Sequence, residues 1–117
     1  MAKPEQGRIV LAEIPDPQNR NPKIRPVVIV NPSDEIAAGK GILVVGITST
    51  LPRKLPENCV LLSFHAAGHT HTGLKKRCAA MCSWLVEIEE SQIIKFIGKT
   101  SVRELEEILT ILESMES

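Results

Sequence analysis

The stretch LKKRCAAMCSWLVEIEES, residues 74–91, is the part of the chain on which the fold turns. Ala79, Ala80, Met81 and Leu85 favour a helix, whereas the aliphatic run suits a buried strand, and periodicity alone leaves both open. The choice also decides the chemistry. A helix sets Cys78 and Cys82 one turn apart, where His69 and His71 would join them around a metal ion. A strand separates the two cysteines by about 13 Å, too far to share one zinc ion or to form a disulfide.

The flanking sequence is less equivocal. RIVLAEI (8–14) has the alternation of a strand with one buried face, and ILVVGITS (42–49) is β-branched and apolar enough to be buried on both faces. RPVVIVN (25–31) reads as a strand that starts at Pro26, where the missing backbone donor does least harm; CVLLSF (59–64) and IIKFIGK (93–99) complete the set. PDPQNRNPKI, dense in Pro and Asn, is a loop, and such loops in small domains tend to carry function. PSDEIAAGKG predicts one helical turn capped by Ser33 and closed by Gly39 and Gly41. SVRELEEILTILESM (101–115) predicts an amphipathic helix with Val102, Leu105, Ile108, Leu109 and Leu112 along one face and a Ser101/Glu104 capping box at its start. Five or six short strands and a terminal helix make a mainly β domain, either a small barrel or a twisted sheet with the helix packed on it.

With 117 residues the chain is expected to form a single domain over 1–117. Its 43% apolar and 3% aromatic content implies a core of Val, Ile and Leu. No apolar run approaches the length of a membrane span or a signal sequence, and three cysteines fit free thiols in a reducing compartment, so the expected location is cytoplasmic with no membrane partner. The net charge of zero hides an asymmetry. Residues 1–86 hold 11 Lys+Arg against 6 Asp+Glu, and residues 87–117 hold 3 against 8. A basic body above an acidic tail is compatible with phosphate contacts.

Several motifs fail on inspection. FIGKTS ends like a phosphate-binding loop, but position 93 is Ile where that loop needs Gly. Ser49, Ser63 and Ser83 lack the glycines of a nucleophile elbow, and most acids fall on the outer face of the last helix. What remains is Arg25 at the mouth of one strand and Ile47-Thr48-Ser49-Thr50 at the end of another. Arg25 would either pair with Asp16 or Glu13 to fix the loop, or stand beside three hydroxyls as a phosphate-binding fork. Trp84, the only indole, reads as core or interface, and so few aromatics leave little for base stacking.

Taken in order, GRIVLAEIP, a loop, IRPVVIVN, ILVVGITST, GLKKRCAAMCSWLVEI and IIKFIGKTSVRELEEILTIL, the chain resembles the MazF/PemK toxin family from Gly7 to about Leu112. The resemblance implies a compact SH3-like barrel of the MazF/PemK/CcdB type with a C-terminal helix, and it makes the 74–91 segment a strand. It further implies a cytoplasmic homodimer with a cognate antitoxin protein, acting as a metal-independent endoribonuclease on single-stranded RNA with no cofactor. In such enzymes the 2′-hydroxyl of the RNA attacks the adjacent phosphate and leaves a 2′,3′-cyclic phosphate. By position, Arg25 matches the catalytic arginine and Thr48 the catalytic threonine, while Arg20, Lys23, Ser49, Thr50 and Arg53 lie where they would hold the RNA backbone. The first loop, DPQNRNPKI, departs from the Gly-x-Glu-Gln pattern of many members, and Ser83 to Val86 replace an acidic or Gln-containing pattern. Those departures motivate a second expectation, a catalytically weak or inactive relative that binds RNA or a protein partner without cleavage.

Overall fold

The computed structural model describes residues 3–116 and makes the opening segment a strand. Six strands are present: β1 (Arg8–Ile14), β2 (Lys23–Ile29), β3 (Ile42–Thr48), β4 (Cys59–Leu62), β5 (Cys78–Ile88) and β6 (Ile93–Lys99). A five-residue helix, α1 (Ser33–Ala37), links β2 to β3, and α2 (Val102–Glu116) ends the chain. All strand pairs are antiparallel, in the order β4-β5-β3-β2-β1-β6.

The expected barrel takes the form of a curled sheet whose two edges are bridged by a loop. The β4–β5 connection reaches back to β6, where the Lys99 N–H donates to the His71 carbonyl at 2.8 Å. Two glycines permit this approach: a Cβ on Gly73 would meet the Ile97 carbonyl, and one on Gly98 would meet the Thr72 backbone at 2.3 Å. Neither position admits a side chain without moving backbone.

Alternation along the strands builds two buried clusters, one on each face of the sheet. Ile9, Val28, Val45, Ile47, Val60 and Leu62 face α2, which contributes Ile108 with Leu109, Ile111 and Leu112 beside it. Val10, Ala12, Val27, Ile29, Ile42 and Val44 face the other way, towards Trp84, Ile88 and Phe96. β5 serves both clusters. Cys78, Ala80 and Cys82 belong to the first, and Trp84 and Ile88, also even-numbered, to the second. The alternation therefore slips between Cys82 and Trp84, where the β3–β5 register shifts from Ile47↔Ala80 to Val45↔Leu85. A bulge of this kind re-aims the side chains beyond it, and here it turns Trp84 into the second face.

Three local expectations are corrected. β2 begins at Lys23, so Pro26 lies inside the strand; it pairs with Leu11 of β1, while pairing with β3 begins only at Val27, so the missing donor falls where β2 has one neighbour. Ser33 does not cap α1, whose N-cap is Pro32; its hydroxyl instead accepts from the Gln6 N–H at 3.0 Å. Val102, expected along the apolar face of the helix, is 75% exposed. The Ser101/Glu104 box is present, with Ser101 N–H to Glu104 Oε1 at 2.7 Å and Glu104 N–H to Ser101 Oγ at 3.1 Å.

Candidate functional site

Register and parity put Arg25 and Thr48 on one face of the sheet, just beyond the last paired residues of β2 and β3. Val27 pairs with Gly46 and Val28 with Val45, so Arg25 and Thr48 each lie two residues past the last pair. Arg25 shares its strand face with Val27 and Ile29, and Thr48 shares its own with Gly46, Val44 and Ile42, so both belong at the rim of the Trp84-containing cluster. There a cleft of about 710 Å³ opens, lined by Arg25, Thr48, Ser49 and Thr50 together with Trp84 and Phe96.

The lining also contains Lys75, Lys76 and Lys95. With Arg25 these are four cations, and among the described residues no Asp, Glu or His side chain lines the cleft. The three lysines come from the β4–β5 connection and from β6, elements distant in sequence from Arg25, and a reading along the chain gave no sign that they converge. Of the residues expected to hold a phosphate backbone, Ser49 and Thr50 line the cleft, whereas Arg20, Lys23 and Arg53 are exposed residues outside its lining.

Arg25 forms no ion pair with Asp16 or Glu13 among the described residues. Its Nη2 donates to the Asn21 carbonyl at 2.9 Å, its Cζ lies 5.4 Å from the centroid of the Trp84 ring, and its buried Nε has no hydrogen-bond partner. Asp16 is occupied within its own loop. Its carboxylate accepts from the Gln18 and Arg20 N–H groups and from the Asn21 side-chain amide, and the Arg20 N–H foremost holds its carboxyl below the usual carboxylate range. Asn19 and Asn21 adopt left-handed backbone, with φ of 61° and 51°, which Asn tolerates better than most residues. This self-tied loop holds the Asn21 carbonyl in place. Thr48 Oγ1 accepts from the Thr50 N–H at 3.2 Å, a local turn that fixes the hydroxyl at the strand end.

The histidines and cysteines have other occupations. His71 Nε2 contacts Glu104 Oε1 at 2.9 Å, and His69 stacks on His65 with 5.1 Å between ring centroids. Cys78 and Cys82 are buried along one strand, and burial pushes the Cys82 thiol up to about 11. Among the described residues no three His, Cys, Asp or Glu side chains group in a way that would hold a metal ion. No helix among them is long and apolar enough to cross a membrane.

The model of the PemK-like, MazF-like toxins of type II toxin-antitoxin systems matches residues 5–115, nearly the whole chain. The chain belongs to the PemK/MazF toxin family. Solved structures agree in fold. MazF from Deinococcus radiodurans superposes with a TM-score of 0.75 at 17% identity, covering 99% of this chain and 98% of that one. MazF in the MazE-MazF complex from the same organism gives 0.70 at 13% identity, covering 100% and 98%. An endoribonuclease in complex with its cognate antitoxin from a mycobacterial species gives 0.69 at 12% identity, covering 96% and 93%. No curated protein matches the sequence. This PemK/MazF chain thus shares the fold of those structures over nearly its whole length at low sequence identity.

Proposed function

We propose that this PemK/MazF chain is an endoribonuclease that cleaves single-stranded RNA without a metal ion or other cofactor. The observation that carries the reading is a cleft lined, among the described residues, by four cations and no carboxylate, with Arg25 and Thr48 both in its lining. A polyanion is the ligand such a lining favours. The RNA 2′-hydroxyl attacks the adjacent phosphorus, the bond to the 5′ oxygen breaks, and a 2′,3′-cyclic phosphate and a 5′-hydroxyl result. The attacking hydroxyl loses one proton and the departing oxygen gains one, so none is consumed.

Arg25 cannot readily surrender a proton, so its part is electrostatic: the guanidinium donates to the phosphoryl oxygens as negative charge gathers on them. Thr48 donates a hydrogen bond to the same group and orients the 2′-hydroxyl. Ser49, Thr50, Lys75, Lys76 and Lys95 hold the neighbouring backbone, with Arg20, Lys23 and Arg53 outside the cleft as further contacts along a longer strand. A cognate antitoxin, as in the structures named above, would act by covering this cleft, and a cytoplasmic homodimer is the expected form. The test is the chemistry of the ends: purified protein incubated with single-stranded RNA and a chelator should yield 5′-hydroxyl and cyclic phosphate termini, and the Arg25→Ala variant should not.

One observation favours a second reading. The cleft lining offers no carboxylate or imidazole to move a proton, which suits a module that grips RNA or a protein partner without cutting it. RNA retained on the protein and recovered intact would decide for that reading.

A further inference from the structure

The surroundings of Trp84 are built to hold it. It is 6% exposed, and its indole occupies the space left by Gly46 on the adjacent strand, where a Cβ would come within 2.2 Å of the ring. The Nε1–H donates to the Pro15 carbonyl at 3.0 Å, which pins the start of the β1–β2 loop. The other end of that loop supplies the Asn21 carbonyl to Arg25. Across the ring face stands the Arg25 guanidinium, 5.4 Å from the centroid, within the range of a cation–π contact.

We infer that Trp84 is the positioning residue for Arg25, acting through the ring face that the guanidinium stands over. The inference rests on the assignment of Arg25 to the phosphate. Its physical basis is the poverty of the other contacts. Arg25 has one side-chain hydrogen bond, an unpartnered Nε and no carboxylate partner among the described residues, so without the ring its long side chain would sample several rotamers. A carboxylate in place of the indole would fix the guanidinium too, but would neutralise the charge needed by the phosphate. An aromatic face restrains the cation and leaves its donors free. Trp84 touches no reacting atom in this scheme.

Trp84 is also the only Trp in a chain without Tyr, so protein fluorescence reports on the surroundings of this one residue. The first arm of the test compares emission of the free protein with that of Arg25→Ala. A changed intensity or maximum is expected, and identical spectra would overturn the contact whether or not the protein cleaves RNA. The second arm compares Trp84→Phe with Trp84→Leu in single-turnover cleavage of a labelled oligoribonucleotide, each at saturating and limiting protein. Phe keeps a π face and should stay within about threefold of the parent rate. Leu should lose about tenfold in the saturated rate with half-saturation little changed, a loss of the size a desolvated cation–π contact supports. Equal losses in both variants, or a loss confined to half-saturation, would overturn the inference. A parent protein that cleaves nothing removes the nuclease reading instead, and the emission arm then judges the contact by itself.

Discussion

Arg25 and Glu104 are both charged groups set into the body of the protein, and they are treated in opposite ways. Glu104 is 8% exposed and saturated: Oε2 accepts from the Ser63 N–H and hydroxyl, and Oε1 takes the Ser101 N–H and contacts His71. It joins the start of α2 to the end of β4 and to the loop that bridges the sheet edges. Arg25 has a single carbonyl, a ring face and a bare Nε. A buried charge that has used its bonds holds structure together, whereas one that keeps donors open at a cleft has bonding capacity left for a ligand.

If that distinction is right, Arg25→Ala should lower the rate of RNA cleavage by roughly 10²–10³-fold, the usual cost of removing a donor to developing charge, with the melting temperature nearly unchanged. Gel analysis of cleavage beside a thermal melt checks both halves, and a melting point that falls with the rate would erase the contrast. Glu104→Gln should do the reverse. It removes charge-assisted hydrogen bonds from the α2 latch and should cost about 2 kcal/mol in denaturant unfolding, while cleavage by the folded protein is retained.

Proton linkage sharpens the same point. Burial pushes the Glu104 carboxyl up, but the Ser101 N–H, the His71 ring, the Ser63 N–H and the Ser101 hydroxyl outweigh it and hold the carboxyl below its ordinary value of 4.5. A depressed carboxyl stabilises the fold fully above that value, and the contribution is lost as pH falls through the depressed one. Urea midpoints of the parent protein should therefore drop on acidification in this window by more than those of Glu104→Gln; parallel curves would contradict the latch.

The smallest effects belong to the lysines. Single substitutions of Lys75, Lys76 or Lys95 by Ala should weaken binding of a non-cleavable oligonucleotide only a few-fold. The combined Lys75→Ala/Lys76→Ala variant should flatten the log-log salt dependence by roughly 1.4, about 0.7 per phosphate contact on a single strand. An unaltered slope would place the RNA backbone elsewhere.

Local sequence was a good guide where local physics decides. The Ser101/Glu104 box and the β character of Ile42–Thr48 follow from short-range hydrogen bonding and side-chain shape, and both are present; the expected loop over 15–24 is present except that its last two residues, Lys23 and Ile24, pair with β1 as the start of β2. The ambiguous segment 74–91 was different: its propensities divide, and pairing with both β3 and β4 makes it a strand. Trp84 reads as core or interface in the sequence, and by burial it is core; its contact with Arg25 depends on the β3–β5 register. One signal was available, since Gly46 interrupts a β-branched run, and a glycine inside a strand often marks close approach by a neighbour.

The sequence by itself determined a mainly β chain with an aliphatic core, a capped terminal helix, and an arginine and a threonine near strand ends. Only tertiary structure decided that Arg25 and Thr48 line one cleft, that three lysines from remote segments join them, and that a slip in β5 turns Trp84 beneath the arginine. The reason is the two-residue period of a strand. Composition and alternation show which residues share a face, but strand register and the position of a bulge fix which faces meet, and both depend on partners far away in the chain.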